Sequence, residues 1–455
     1  NALIAVKQAL GNPANLSSWL PGTDPCAASW YGVTCVGATV TGLDLSGVDT
    51  HAALPTAIGY VSTLSSLNVG NSGLTGTIPA SWSALTQLSS IILNGVTNVS
   101  GSLPPTWSTL TQLQSIQVSS TGITGALPPA WSTLPYLTTI QASNDPGLSG
   151  GLPLSWSAIT TLSSLNVSSD PSLAGSIPEG YSNLTGLTYL NISRDSLTGQ
   201  LPPSFSTLTL LQSLDVSDNN LTSTLPSTWS DLTSLNLLNI SSNPITGSLP
   251  SSWSTLTHLA AFNSTSDTKI SGSLPSSWSL LTTLTSLVIV NDPGITGPLP
   301  AQWSNLSSLV RLILAQDTGL TSTIPASWST MSQLSTLTIA DNTELIGSLP
   351  TVWSTMTNLK YLNISGDSGL TGSLPSTLSN ASTLVSLDVS GDSSVSGSLP
   401  AAWTALSALT YLNVSGDASV TGTLPTSWST ITTLVILDVS GLTVTGTLPS
   451  SWASL

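Results

Sequence analysis

The chain has 455 residues and a formal net charge of −15, with 5 Lys and Arg against 20 Asp and Glu. Nucleic acid and anionic membrane surfaces are therefore excluded as expected partners. Charged residues make up only 5% of the chain, against about 25% in an ordinary soluble domain, whereas Ser and Thr make up about a third. Hydroxyl groups are expected to cover the surface, which indicates an extracellular or cell-surface protein. No run of about 18 apolar residues occurs, so no membrane insertion within this chain is expected.

The chain begins with a segment that holds both of its cysteines. Cys26 and Cys35 flank Trp30, and no other thiol competes with them. Two ligands alone make a poor zinc site, so the pattern favours a local disulfide, as in an extracellular protein.

A Leu-Pro or Ile-Pro pair then recurs at intervals of 24 or 25 residues. A fixed period of this size indicates a solenoid of stacked turns, each contacting its neighbours. The seventeen pairs begin at Leu54, Ile78, Leu103, Leu127, Leu152, Ile177, Leu201, Leu225, Leu249, Leu274, Leu299, Ile324, Leu349, Leu374, Leu399, Leu424 and Leu448.

Within each turn the sequence predicts one strand and one tight turn. Leu409–Val414 alternates apolar and polar residues, so Leu412 and Val414 should face the core of a parallel sheet. The Leu-Pro segment should form a short helical or 3₁₀ turn, because Pro fixes φ and has no amide donor.

A tryptophan follows each Leu or Ile of the pair by four residues in thirteen of the seventeen turns. Apolar residues fill the other four turns, which favours a buried ladder over an exposed row that stacks on glycans. The tryptophans are Trp82, Trp107, Trp131, Trp156, Trp229, Trp253, Trp278, Trp303, Trp328, Trp353, Trp403, Trp428 and Trp452; the other four positions are Ile58, Tyr181, Phe205 and Leu378.

The repeat resembles the plant-specific class of leucine-rich repeats, and Leu74–Pro79 (LTGTIP) matches its consensus directly. Residues 16–19 (LSSW) and 25–35 resemble the N-terminal cap of that family. The resemblance implies a leucine-rich-repeat solenoid, α/β by convention, with a helical disulfide cap, a curved parallel sheet on the concave face and 3₁₀ turns on the convex side. It places the cap at 1–39 and about seventeen repeats at 40–455, without a C-terminal cap.

One departure from the plant pattern is the Trp-Ser pair that follows Leu-Pro-x-x. This signature resembles the surface antigens of kinetoplastid protists, a family of secreted or membrane-anchored repeat glycoproteins implicated in adhesion. The two resemblances together imply protein or glycan partners at the cell surface.

The outward face of the predicted sheet is mostly Ser and Asn, whereas binding hot spots are rich in Trp, Tyr and Arg. Its one apolar interruption is Val288, Val290, Arg311 and Ile313, which we call the sheet patch. We expect this patch, with Tyr189, Tyr361 and Tyr411, to be a contact site; ordinary strand filler is the alternative.

Twelve Asn-x-Ser/Thr sequons are candidates for N-glycosylation, although composition alone accounts for most of that number. Half of them fall on predicted strands, where sugar would cover the sheet face. They are Asn15, Asn98, Asn166, Asn183, Asn191, Asn220, Asn239, Asn263, Asn305, Asn363, Asn380 and Asn413.

Nine of the twenty acids occupy one column, three residues after the second inward strand residue, where the resembling family keeps Asn. We expect these acids to cap turns, and calcium along the column is the alternative because oxygen ligands suit it. This aspartate column is Asp145, Asp170, Asp195, Asp267, Asp292, Asp317, Asp367, Asp392 and Asp417, with Asn at Asn219, Asn243 and Asn342.

The sequence offers little for catalysis, and no enzyme activity is expected. His51 and His258 are eight repeats apart, and no nucleophile with base, paired carboxylates, phosphate loop or metal motif is found. Both histidines are expected to be ordinary surface residues, and no cofactor is expected.

Three functions remain. The first is an extracellular scaffold for coating, adhesion or recognition. The second is a subunit that stacks on itself into a filament, suggested by a last repeat, 451–455, without a polar cap. The third is ice binding through the regular Ser, Thr and Asn columns.

Overall fold

The computed structural model describes residues 2–454 and contains two compact units, Asn1–Leu221 and Thr222–Leu455. Each is built from repeats in which a strand, a second short strand and a 3₁₀ turn follow one another. Parallel pairing joins equivalent strands of successive repeats, as for Leu287↔Leu312 and Leu412↔Leu437. Seventeen of the eighteen described 3₁₀ turns belong to this series.

The main strands carry the predicted inward residues. Leu412 and Val414 are fully buried, as the alternation predicts. In the first unit the strands are Val33–Val36, Thr39–Asp44, Ser66–Asn68, Ser90–Ile92, Ser115–Gln117, Thr139–Gln141, Ser164–Asn166, Tyr189–Asn191 and Ser213–Asp215. In the second they are Leu237–Asn239, Ala261–Thr265, Ser286–Val290, Arg311–Ala315, Thr336–Ala340, Tyr361–Asn363, Ser386–Asp388, Tyr411–Asn413 and Ile436–Asp438.

A second series of short parallel strands, which the sequence reading did not anticipate, precedes the Leu-Pro pairs. In the first unit it comprises Thr75–Thr77, Asn98–Gly101, Gly122–Ala126, Gly147–Ser149, Ala174–Ser176, Ser196–Gly199 and Asn220–Leu221. In the second it comprises Thr246–Gly247, Lys269–Ser273, Gly294–Pro298, Gly319–Thr323, Leu345–Ile346, Gly372–Ser373, Val395–Ser398 and Val420–Thr421. Most of these strands contain a Gly with positive φ, such as Gly372 at 84°, a conformation that an L side chain rarely adopts.

The 3₁₀ turns begin directly after the repeated prolines, as predicted. Pro79 has φ −68° and ψ 132°, and its carbonyl accepts the Trp82 N–H at 3.1 Å. The turns are Ala14–Leu16, Thr56–Tyr60, Ala80–Ala84, Pro105–Thr109, Pro129–Thr133, Leu154–Ala158, Glu179–Asn183 and Pro203–Thr207 in the first unit. In the second unit they are Ser227–Asp231, Ser251–Thr255, Ser276–Leu280, Ala301–Asn305, Ala326–Thr330, Thr351–Thr355, Ser376–Asn380, Ala401–Ala405, Thr426–Thr430 and Ser450–Ser454.

Twelve of the thirteen tryptophans form the predicted buried ladder, and the last, Trp452, stacks on Trp428 but is only half-buried. Trp403 and Trp428 are fully buried, and their rings stack at 6.1 Å. The indole N–H of Trp428 also donates to the carbonyl of Pro400, one repeat earlier, at 3.1 Å. Trp thus packs the core and satisfies a buried carbonyl that an aliphatic side chain would leave without this donor.

The N-terminal segment forms a helix, Ala2–Ala9, and a disulfide joins Cys26 to Cys35, as predicted. Trp19 and Trp30 stack with centroids 5.5 Å apart. The strand Val33–Val36 pairs antiparallel with Thr39–Asp44, which in turn pairs parallel with Ser66–Asn68. The cap therefore joins the main sheet of the first unit.

Candidate binding surface

The outward face of the second unit contains two kinds of strand. Five strands are three residues long and end at an Asn or Asp whose Oδ1 accepts the backbone N–H two residues later, as Asn363 does from Ser365 at 2.9 Å. This contact gives the N–H a side-chain partner in place of a strand partner and so ends the ladder. The other four such acceptors are Asn239, Asp388, Asn413 and Asp438.

The remaining four strands of this unit are five residues long. At the equivalent position three of them carry Val288, Ile313 and Thr338, which lack a carbonyl to accept that N–H. Pairing consequently continues for two more residues, to Val290↔Ala315 and Ala315↔Ala340. The fourth carries Asn263, which accepts from the Thr265 hydroxyl, and the Thr265 N–H donates to Ser241 instead.

The longer strands bring the sheet patch together. Val288 lies beside Ile313, and Val290 beside Ala315, on adjacent parallel strands about 4.8 Å apart. The aliphatic side chains of the patch are half-buried, whereas Arg311 is exposed at its margin. The result is an aliphatic area with one cation beside it, on a face that otherwise carries mostly hydroxyl, amide and carboxyl groups.

The three tyrosines do not join this patch as one site. Tyr361 shares the row of Arg311, two strands away, and is 48% exposed. Tyr411 is two strands further on, and its hydroxyl donates to Asp388 Oδ2 at 3.2 Å. Tyr189 belongs to the other unit.

The twelve sequons fall into two equal groups. Asn15, Asn98, Asn183, Asn220, Asn305 and Asn380 are exposed, whereas Asn166, Asn191, Asn239, Asn263, Asn363 and Asn413 are half-buried on the sheet face. On the sheet face, Asn and Asp side chains alike accept the N–H of the Ser two residues later, as Asn413 and Asp388 show. The Asn-x-Ser pattern there has a structural cause that does not require a glycan.

The aspartate column lies inside the turns. Eight of its nine members are fully buried and Asp195 is 7% exposed. Each Oδ1 accepts a backbone N–H, which is that of the preceding column residue in most cases: Asp367 N donates to Asp392 at 2.8 Å, and Asp392 N to Asp417 at 2.7 Å. The predicted turn capping is confirmed, and in most cases the capped N–H belongs to the turn of the preceding repeat.

In residues 2–454 the positions of the acids and histidines do not support a metal site. Within residues 2–454 no group of three or more His, Cys, Asp or Glu is placed to hold a metal ion, so calcium along the column has no structural support. His51 and His258 are exposed; His51 Nδ1 lies 3.4 Å from Asp49, and His258 Nδ1 lies 2.9 Å from the Thr233 carbonyl oxygen.

The second strand series presents rows of hydroxyls. Thr371 donates to the Gly347 carbonyl at 3.3 Å, and Ser396 donates to Gly372 at 3.2 Å, each to the preceding repeat. A second exposed row, including Ser373 and Ser398, lies two residues further along each strand. These bonds fix the first row at the strand spacing of about 4.8 Å, with about 6.6 Å between rows.

Models of two known families match the chain. The leucine-rich-repeat region matches residues 155–364, and the leucine-rich-repeat N-terminal domain matches residues 1–36. The chain has the fold of a leucine-rich-repeat solenoid.

Curated relatives of this repeat chain come from plants. Leucine-rich repeat protein FLOR 1 of Arabidopsis thaliana is 39% identical over 94 residues, 20% of this chain and 29% of that protein. Polygalacturonase inhibitor 2 of Phaseolus vulgaris is 34% identical over 102 residues, 22% of this chain and 23% of that protein. The matched segment thus spans less than a third of either relative.

Solved structures resemble it over most of its length. A TDR receptor has a TM-score of 0.81 at 26% identity, covering 90% of this chain and 69% of that chain. The ectodomain of the Arabidopsis thaliana receptor kinase GASSHO1/SCHENGEN3, in complex with CASPARIAN STRIP INTEGRITY FACTOR 2, has a TM-score of 0.72 at 26% identity, covering 90% and 50%. A plant ice-binding protein has a TM-score of 0.51 at 27% identity, covering 60% and 87%.

None of these comparisons tests the kinetoplastid likeness. The filament hypothesis rests on a chain end whose last residue, Leu455, lies outside the described residues. Across residues 2–454 we find no helix long and apolar enough to cross a membrane.

Proposed function

We propose that this leucine-rich-repeat solenoid is an extracellular, non-enzymatic scaffold that binds a peptide or protein segment at the sheet patch. The observation that carries the proposal is the block of extended strands, Ser286–Val290, Arg311–Ala315 and Thr336–Ala340. At the positions where the neighbouring strands carry Asn or Asp, these three strands carry Val288, Ile313 and Thr338.

The chemistry of the patch suits a partner with an apolar anchor and an acidic group. Half-buried Val288, Val290 and Ile313 would lose their remaining water contact on binding, and Arg311 can form a bidentate pair with a carboxylate. Plant relatives include a receptor ectodomain solved with a bound factor and a polygalacturonase inhibitor, both of which are binding proteins by name.

The test is a selection from a displayed peptide library, followed by affinity measurements on two variants. Ile313→Asp puts a charge into the patch, and Ser386→Asp puts the same charge on the same face, three strands away. We expect selected peptides to bind Ile313→Asp at least about tenfold more weakly, a loss of about 1.4 kcal/mol, and Ser386→Asp as well as the wild type. Equal binding to all three proteins would place the site elsewhere.

A second candidate function is ice binding by the hydroxyl rows. The specific observation is that Thr371, Ser396 and Thr421 each donate to a glycine carbonyl one repeat earlier. Their oxygens are thereby held in a regular array on a flat surface. The likeness to a plant ice-binding protein supports this candidate.

Thermal hysteresis separates the two candidates. The wild type should show it if the rows order water, and Thr371→Tyr with Thr421→Tyr should abolish it by breaking the flat array. Ser386→Tyr with Ile436→Tyr, on the main sheet, serves as the control and should have no effect. A wild type without hysteresis removes this candidate and leaves the peptide-binding proposal untouched.

A further inference from the structure

The aspartate column contains acceptors that lack donors. Seven of its carboxyls have an Oδ2 atom that is buried and without a hydrogen-bond partner: those of Asp145, Asp170, Asp195, Asp317, Asp367, Asp392 and Asp417. An ionised carboxylate in such a place would lose its hydration and receive hydrogen bonds at Oδ1 alone. The burial of these Oδ2 atoms without a donor therefore requires an explanation.

The asparagines of the same column show what the second atom does. Asn342 Oδ1 accepts the Asp317 N–H at 3.0 Å, as the aspartates do for their own neighbours. Its Nδ2 donates to the Leu314 carbonyl at 3.0 Å. Asn219 Nδ2 donates to the Ile192 and Val216 carbonyls at 2.8 and 3.1 Å. The column position therefore requires one acceptor and one donor, and an aspartate supplies a donor only when it is protonated.

We propose that these seven carboxyls are neutral aspartic acids whose Oδ2–H replaces the asparagine Nδ2–H, so that the contacts between repeats are more stable at acidic pH and weaker at alkaline pH. No external reactant is involved, because each group exchanges one proton with water. These carboxyls are independent of the sheet patch. Their protonation determines the pH range in which the repeats are most stable.

The electrostatic surroundings support protonation. Burial is the largest cause and raises the pKa of Asp317 and Asp367 to about 8 and that of Asp392 to about 9. The charged groups that face these carboxyls are further acids: Asp292 beside Asp317, Asp341 beside Asp367, and Asp367, Asp417 and Asp388 beside Asp392. No lysine or arginine contributes at these three sites.

Two members show the expected contrast. The Ser264 hydroxyl lies 2.6 Å from Asp292 Oδ2 and 2.9 Å from Asp267 Oδ2, so these two carboxyls have a donor at the oxygen where the other seven have none. Burial raises the pKa of Asp292 only to about 6, because the Ser264 bond opposes it. Burial likewise raises the pKa of Asp145 only to about 6, because its Oδ1 accepts the Thr121 hydroxyl at 2.6 Å. A hydroxyl donor on the carboxyl and a smaller rise in pKa therefore occur together.

The direction of the pH effect follows from the sign of the shift. The folded chain binds a proton at pH values where the unfolded chain, with an ordinary aspartate pKa near 3.8, has released it. Stability is therefore highest near pH 4 and falls as pH rises towards 8 or 9, where the folded carboxyls ionise. An ordinary paired aspartate has the opposite dependence over the acid range.

The experiment measures urea midpoints at pH 5, 7 and 9 for the wild type, Asp367→Asn with Asp392→Asn, and a control, Asp49→Asn with Asp231→Asn. Both double variants replace two carboxyls with amides, but Asp49 and Asp231 are exposed, whereas Asp367 and Asp392 are fully buried. The wild-type midpoint should fall steadily with pH, the control should parallel it, and the column variant should fall less steeply.

A second measurement does not depend on any variant folding well. Infrared spectra of the wild type at pH 6 should contain a protonated-carboxyl band, since exposed aspartates are ionised at that pH. Absence of this band, a wild-type midpoint that stays level or rises with pH, or an unchanged slope in the column variant would each overturn the proposal.

Discussion

The strands Ser286–Val290 and Tyr411–Asn413 belong to the same sheet of the second unit and share the same inward pattern, yet their outward faces differ. At Asn413 a side-chain oxygen takes the N–H of Ser415 and ends the strand. At Val288 no such oxygen exists, and the ladder continues to Val290. One side chain per repeat thus sets both the length of the strand and the chemistry of the surface.

The largest expected effect tests whether this difference is confined to the surface. Trp303→Ala, in the repeat before the strand Arg311–Ala315, and Trp403→Ala, in the repeat before Tyr411–Asn413, each empty a fully buried ladder position. Each should lower the free energy of unfolding by about 3–5 kcal/mol. Urea denaturation measures both, and a large inequality between them would mean that the two regions also differ in their cores.

A smaller effect is expected from the strand-ending contact. Asn363→Ala removes the acceptor of the Ser365 N–H and should cost about 1 kcal/mol, because a half-buried donor loses its partner. Thr338→Ala at the equivalent position of an extended strand removes no such acceptor and should cost less. Equal losses in denaturation experiments would show that the contact does not stabilise its repeat.

The smallest change in stability should come from exchanging the two surface types. Val288→Asn with Val290→Ser rebuilds the Asn-x-Ser pattern and should shorten this strand at a cost within about 0.5 kcal/mol, as for surface changes generally. Hydrogen exchange should report faster exchange at residues 289 and 290 in the variant. Unchanged exchange would mean that neighbouring strands, and not the residue at 288, set the length.

Glycan mapping sharpens the comparison from another side. If the chain is glycosylated in a eukaryotic secretion host, we expect sugars at exposed sequons such as Asn305 and Asn380. We expect Asn363 and Asn413 to be bare, since their Oδ1 atoms are engaged with the following Ser. Peptide mass mapping measures which sequons are occupied. Glycans on the strand sequons would contradict this expectation and would cover the sheet face around the patch.

Much of the fold could be predicted from residue patterns because the signals are local and repeated. The period of the Leu-Pro pairs, the alternation at Leu409–Val414 and the apolar exceptions to the Trp positions predict strands, 3₁₀ turns and a buried ladder. The second strand series was missed, since segments such as Gly372–Ser373 carry no apolar alternation and pair only through neighbouring repeats.

The sequence predicts which residues form the candidate site, but it does not predict the longer strands that bring them together. Val288, Val290, Arg311 and Ile313 stand out among Ser and Asn, but nothing local to them shows that their strands are longer. That difference depends on which acceptor each N–H can reach in the folded chain. Likewise, Tyr411 was grouped with the patch by residue type, although the register places it four strands from Arg311.

The sequence by itself determined the repeat, the inward residues, the disulfide and the position of the aspartate column, because each depends on spacing along the chain. Only the tertiary structure decided what those positions do. Stacking the turns buries the column, so that a carboxyl at Asp392 has a backbone N–H on one oxygen and nothing on the other. It also brings the indole N–H of most ladder tryptophans, such as Trp428, to a proline carbonyl one repeat earlier. These partners lie 25 to 28 residues apart in the chain, and no local pattern specifies them.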